Sequence, residues 1–402
     1  MKESLLIVGG GILQIPAVNK AKELGYFTIV TDKNPNALAF SVCDEKIILS
    51  SKDIEGHEAL AKKLYETKNL VGVYTQGTDV EYTVARAAHY VNLPGISIES
   101  ARHCNNKIEM RKIFLEKNVD LVHFFAAKTL EDAHKGVKTI GIPCVLKPAD
   151  NSGSRGVTII HSFDEVEDAF QQAISSCYHE KTVIIEEFLN GPEYSIDTII
   201  WDGIVYPCGI SDRIFLKSKN YAVQSGSLTP SLLPEKIQDQ MYQLMQKAAI
   251  ALEIDKGAFK GDLIVVDGKP RIIEVTARTS GGFDSQYRKP YSFGIDLIKA
   301  TIDIAVGKKL DFRDIVPRWM KWSKTISVFP KPGKILKING IEETKKLDGV
   351  KDVFITAKIN DVIPPFTHSA MRVNMINIVG DTLEQLEKTE EKVKKTLKYE
   401  IA

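Results

Sequence analysis

Residues 260–278 read KGDLIVVDGKPRIIEVTAR. LIVV and RIIEV are β-rich runs, and Asp267-Gly268-Lys269 between them is a turn signal, so the stretch predicts a β-hairpin. A turn centred on Gly268 sets Asp262 and Glu274 directly opposite each other on one face, with Cβ atoms about 5 Å apart. Two carboxylates that close repel unless a cation lies between them. Hard oxygen ligands on a rigid sheet suit Mg²⁺, which takes one or two carboxylates plus substrate phosphates. Register decides the outcome. A two-residue turn would point the two side chains to opposite faces, because side-chain direction alternates with period two. On these residues alone, two solvated acids on an edge hairpin fit as well.

Composition frames that reading. The chain has 402 residues, 44% hydrophobic and 26% charged, with a net charge of +1. Such a length points to roughly two to four domains rather than one core. A near-neutral chain offers no field for nucleic acid or an anionic membrane, and neither is expected as a partner. The five cysteines (Cys43, Cys104, Cys144, Cys177, Cys208) are scattered and never form C-x-x-C, which argues against disulfides and zinc. The eight histidines lack H-x-x-x-H or H-E-x-x-H spacing. The opening MKESLLIVGGG has too short an apolar run for a signal peptide, and no apolar stretch reaches membrane-spanning length. A cytoplasmic location is expected. The run 384–398 mixes Glu and Lys at helical spacing and reads as a solvated helix face.

The first hundred residues alternate strands and helices. Residues 5–8 are an apolar run, followed by Gly9-Gly10-Gly11 and a helical pattern closed by Gly25. Further strands are read at 27–31, 46–49, 71–74 and near Leu93, with helices at 58–66 and 80–90. Repeated βα units predict a doubly wound, Rossmann-like parallel sheet with ligands at the carboxyl ends of its strands. The glycines approach a dinucleotide fingerprint, but Gln14 stands where a third glycine is wanted. An NAD-linked oxidoreductase is therefore one reading. The others are a tight turn, or close approach to another ligand, with Gly10 and Gly11 as substrate-site candidates.

A boundary falls near residues 100–107, and a charged helix, KIEMRKIFLEKN, follows. The short strand CVLKP (144–148) carries Lys147, and DNSGSRGV (150–157) leads into a second strand. A loop rich in free backbone N–H groups, with Gly153 and Gly156 beside a lysine, is suited to phosphates. It also fits a flexible surface hairpin. It is not a Walker loop, since no G-K-[ST] follows. The strand at 182–185 runs into EEFL, and after Asn190-Gly191-Pro192 another strand opens with Glu193. An extended segment that turns back can meet a planar heterocycle, and it also fits a plain hairpin.

In this order, the pieces resemble the ATP-grasp superfamily along almost the whole chain. The resemblance implies α/β and α+β architecture: a Rossmann-like domain over 1–104, a nucleotide-binding grasp region over 105–320 with a flap subdomain at about 140–190, and a small α+β lobe over 321–402. It implies that Lys107 and Lys147 meet the nucleotide and that Ser152, Gly153, Ser154, Arg155 and Gly156 form a flap over its phosphates. Glu186, with the backbone of Glu187 to Leu189, would face adenine, and Glu193 the ribose. Asp262 and Glu274 resemble the Mg²⁺ ligands. Arg278 matches the arginine of the family's E-x-N-x-R, near the transferred phosphate. Thr276 stands where that motif has asparagine, which makes a third metal contact weaker or water-mediated.

The segment after Arg278, SGGF and then a G-I-D-L helix, looks like the carboxylate–amine ligase branch, which includes L-amino-acid ligases and proteins similar to carbamoyl phosphate synthase and glycinamide ribonucleotide synthetase. The implied activity is ADP-forming C–N ligation through an acyl phosphate, with ATP and Mg²⁺ (or Mn²⁺) as cofactors. Small-molecule carboxylates, among them amino acids, and amines are the implied substrates, and a homodimer is the implied assembly. Arg288 and Lys217 are further substrate-site candidates. Alternatives within the family are a purine-biosynthesis synthetase and a biotin-carboxylase-type enzyme. Outside it stands an ATP-binding protein without catalysis.

Overall fold

The structure, a computed structural model, describes residues 2–402. The N-terminal part is a sheet of four parallel strands, Ser4–Val8, Phe27–Asp32, Glu45–Ile48 and Leu70–Tyr74, in the order third, second, first, fourth. Ser4–Val8 is buried throughout, as a parallel strand covered on both faces must be. Helices Ile15–Glu23, Ile54–Lys68 and Glu81–Tyr90 provide that cover. The run near Leu93 is not a strand: Pro94 has no N–H for a ladder, and Gly95 follows it.

The second unit is a four-stranded antiparallel sheet in the order Phe124–Ala127, Val183–Glu187, Cys144–Pro148, Thr158–Ile160. Helices Leu130–Ile140 and Val166–Ser175 pack Ala133, Val137, Val166 and Phe170 against it. It begins well before residue 140, because its edge strand Phe124–Ala127 joins from upstream.

The third unit is an eight-stranded sheet. Its order is Lys269–Thr276, Gly257–Val266, Glu193–Trp201, Ile204–Phe215, Gln224–Thr229, Trp322–Ile326, Asn374–Gly380, Val350–Ile355. Helix Glu235–Ala251 buries Met241, Met245 and Ala248 against Ile196, Phe259, Leu263 and Ile272. The last three strands come from beyond residue 321, and Gly226↔Ile326 through Thr229↔Ser323 pair antiparallel. The C-terminal part thus extends the grasp sheet. It adds a small sheet of Val362–Ile363, Gly333–Asn339 and Lys398–Ile401. Helix Leu383–Thr396 starts with a Thr382/Gln385 capping box and buries Leu386 and Val393.

The hairpin forms by an unexpected route. Its turn has two residues, since Val266 pairs with Lys269. Asp267 and Gly268 have φ of 49° and 74°, which is the type I′ pattern. That turn alone would send the two acids to opposite faces. The register then shifts: Leu263 pairs with Ile272, yet Asp262 pairs with Glu274, so Ile273 is an unpaired bulge residue. The bulge returns both acids to one face.

Candidate active site

All three units converge on a cavity of about 400 Å³. The bulged hairpin supplies Asp262 and Glu274. Lys260, on the same face two residues before Asp262, places its Nζ 2.5 Å from that carboxylate. Arg213 bridges Asp262 at 3.4 Å and Glu193 at 2.7 Å. Lys107 opens helix Lys107–Glu116 and lies 3.3 Å from Glu274, while donating to the Asn151 carbonyl at 2.6 Å. Burial would raise the Glu274 carboxyl, but Lys107, Lys260, Lys147 and Arg213 hold it below the usual carboxylate range. It is ionised at neutral pH. The Thr276 hydroxyl is buried with no hydrogen-bond partner among the described residues. Two carboxylates and a free hydroxyl on one face of the hairpin fit a small hard cation that takes its other oxygens from phosphate and water. Among the described residues, no group of three or more His, Cys, Asp or Glu gathers as a self-sufficient metal cage.

The cavity wall around Lys147 is built on a buried ion network. Lys147 lies 2.6 Å and Arg111 2.8 Å from the Glu186 carboxylate. Burial alone would raise Glu186, but these two cations draw it down to about 2. Arg111 also donates to the carbonyl of Ile273 at 2.9 Å, so the bulge and Lys147 share one support. The Glu186 side chain is thereby committed to cations, and Glu187 accepts from the His123 N–H at 3.0 Å. Residues 186–189 still line the cavity wall. Glu193 lines it too, with burial raising its carboxyl despite Arg213.

The flap joins Cys144–Pro148 to Thr158–Ile160. Its base is fixed by Asp150, which accepts from the backbone N–H groups of Tyr178, His179 and Glu180 at 2.9, 2.6 and 3.2 Å. Ser152, Gly153, Ser154 and Arg155 line the cavity, whereas Gly156 turns away from it. Gly156 has φ +69°, and a Cβ there would come within 2.7 Å of Ser176, so the packing of the loop on its helix demands glycine.

Arg278 is 8% exposed on the cavity wall. Its Nε donates to Asp79 Oδ1 at 2.7 Å, Nη2 donates to the same oxygen, and Nη1 donates to the Thr279 carbonyl at 2.8 Å. Burial would lower its pKa, yet Asp79 and Glu81 hold it above the ordinary range. The N-terminal domain therefore positions the arginine through Asp79, and Leu13 and Gly77 reach the cavity as well. Gly10 and Gly11 do not line it; the Gly10 N–H donates to Asp32 at 2.9 Å, and a Cβ there would meet Ala37 at 3.0 Å. Arg288 lines the cavity but is tied to Asp284 at 3.1 Å and to the Thr325 hydroxyl at 2.7 Å. Lys217 is exposed and outside the cavity lining.

Sequence reading passed over Arg111, Lys260, Asp79 and Arg372. Arg111 stands four residues after Lys107, which is one helix face, and Lys260 shares strand parity with Asp262; both signals were present. Asp79 and Arg372 reach the cavity only through long-range packing, and nothing local marks them.

Residues 140–286 match the ATP-grasp domain, and residues 326–402 match the L-amino acid ligase C-terminal domain 2. The chain carries an ATP-grasp domain followed by an L-amino acid ligase C-terminal domain. Its relatives include ATP-grasp carboxylate–amine ligases. This ATP-grasp chain is 25% identical over 321 residues to the alanine–anticapsin ligase of Bacillus subtilis, covering 73% of this chain and 65% of that one. It is also 25% identical over 329 residues to the C-terminal section of the carbamoyl phosphate synthase large chain of Methanocaldococcus jannaschii, covering 77% and 52%. The chain thus spans about half to two thirds of those curated relatives. The crystal structure of an L-amino acid ligase from Bacillus licheniformis shares its fold, with a TM-score of 0.85, 22% identity and full coverage of both chains. Among the described residues, no helix is long and apolar enough to cross a membrane.

Proposed function

We propose that this chain is an ADP-forming ligase that joins a small carboxylic acid to an amine, with α-amino acids as the substrate class. The observation that carries the reading is the bulge-restored pairing of Asp262 and Glu274 in a cavity also lined by Lys107, Lys147 and Arg278. Asp262 and Glu274, with Thr276 beside them, would hold Mg²⁺, which neutralises phosphate charge when bound. Lys107 and Lys147 are set to bind phosphates as point charges. Arg278, oriented by Asp79, is set to stabilise the γ-phosphoryl group as it moves to a carboxylate oxygen. The acyl phosphate so formed is open to attack by the amine, with loss of inorganic phosphate. No Ser-His-Asp or Cys-His constellation is needed, because the route has no obligatory covalent enzyme intermediate.

The test is a screen of acid and amine pairs with ATP and Mg²⁺, reading nucleotide products. Release of ADP and phosphate that depends on both acid and amine supports the ligase. AMP and pyrophosphate would overturn it.

A further inference from the structure

A second cavity, of about 420 Å³, lies behind Arg278. It is enclosed by the carboxyl end of strand Leu70–Tyr74, helix Glu81–Tyr90, the start of strand Gly257–Val266 and helix Leu297–Ala305. The N-terminal domain and the grasp sheet thus form it together. Of the residues lining the first cavity, it shares Arg278 alone. Its wall is largely apolar, with Val84, Ile96, Trp201 and Ile304 on it, and its size is that of a small-molecule site.

Counter-charges single out one group on that wall. Lys256 lies 3.8 Å from Asp202, Lys308 lies 3.5 Å from Asp303, and Arg278 is bound to Asp79. Asp255 is exposed to solvent. Glu81 is 2% exposed, and its Oε2 accepts from Asn105 Nδ2 at 2.7 Å. Its Oε1 is buried and has no hydrogen-bond partner among the described residues. Burial, and then neighbouring Asp79, pushes this carboxyl above its ordinary range. A buried acid with an idle oxygen is unfavourable until a donor reaches it, and an ammonium supplies both the hydrogen bond and the charge.

We propose that this second cavity binds a small organic ammonium, with its charged head on Glu81 and its apolar body against the wall that carries Trp201. The occupant lies outside the cavity that holds Asp262 and Glu274, with Arg278 as the wall between them. Binding here needs no turnover, so it stands whether or not the chain is a ligase.

Fluorescence of the full-length protein tests this, because Trp201 lines the second cavity and not the first. The probes are phenethylamine, phenethyl alcohol and 3-phenylpropionate, which are matched in body and differ in the head group. Each is titrated near neutral pH with Mg²⁺ and saturating ADP present. Phenethylamine should change the emission saturably and bind at least tenfold more tightly than either of the others. Trp201→Phe should remove the signal. Glu81→Gln should cut the amine's advantage over the alcohol to less than threefold, and Glu81→Asp should keep part of it. Ala305→Phe, which places a ring in the cavity, should abolish amine binding while ADP affinity stays within twofold. No saturable change with any probe, equal affinity for all three, an amine preference that survives Glu81→Gln, or a signal that survives Trp201→Phe would overturn the assignment. Amine binding at Trp201 without any acid- and amine-dependent ADP release would support this site while removing the ligase reading.

Discussion

Asp262 and Glu274 face each other across a hairpin whose own turn would have separated them. The two-residue turn at Asp267-Gly268 fixes one register, and the bulge at Ile273 corrects it by one residue. The carbonyl of Ile273 accepts from Arg111, and Arg111 also grips Glu186, the partner of Lys147. The paired acids and Lys147 therefore hang on one buried arginine.

Removing either acid should disable turnover. Glu274→Gln and Asp262→Asn each delete a negative charge from the proposed Mg²⁺ site, and losing one electrostatic contact to transferring charge commonly costs about 3 kcal/mol, or roughly a hundredfold. Mg²⁺-dependent ADP release should fall by that order in both variants. Near-normal release in both would refute the paired-acid site.

Breaking the buried network should cost stability in a pH-dependent way. Arg111→Met leaves Glu186 with Lys147 alone, and breaking a buried pair typically costs about 3–5 kcal/mol. Glu186 titrates near 2 in the folded protein against 4.5 without its partners. Its stabilisation is thus fully present above pH 4.5 and is lost as the pH falls towards 2. Urea midpoints should show a wide gap between wild type and variant at pH 7 that narrows as the pH falls from 4.5 towards 2. A gap that stays constant with pH would contradict the assignment.

The buried lysine should matter to ATP where an exposed one does not. Lys147→Ala should weaken ATP binding far more than Lys398→Ala, measured by calorimetry with Mg²⁺. Equal affinity in the two variants would remove the nucleotide role of Lys147.

The parts of this molecule that were legible in the sequence are those written locally. The βα alternation of residues 1–90, the hairpin at 260–278 and the strand carrying Lys147 each follow from periodicity and turn residues. The bulge was not legible, because Ile273 differs in no local way from Ile272; what separates them is the core packing of Ile272 and Val275 three residues apart. The continuation of the grasp sheet past residue 321 was missed for a related reason. A strand announces its existence, while its partner is chosen by packing. Gly10, Gly11 and Gly156 were read as ligand contacts, but Gly10 and Gly156 fill close approaches within the protein's own fold. Lys217 carries charge at the right place in the chain and the wrong place in space.

On the ligase reading, phosphate passes from ATP to a carboxylate oxygen beside Arg278. Arg278→Lys should lower turnover with only a modest change in ATP affinity, since one ammonium does not replace a fork held by Asp79. The most direct measurement uses an acid substrate labelled with ¹⁸O in its carboxylate. The acyl-phosphate route predicts that one labelled oxygen appears in inorganic phosphate, alongside ADP, for each product formed. Formation of AMP, or phosphate carrying no label, would contradict it.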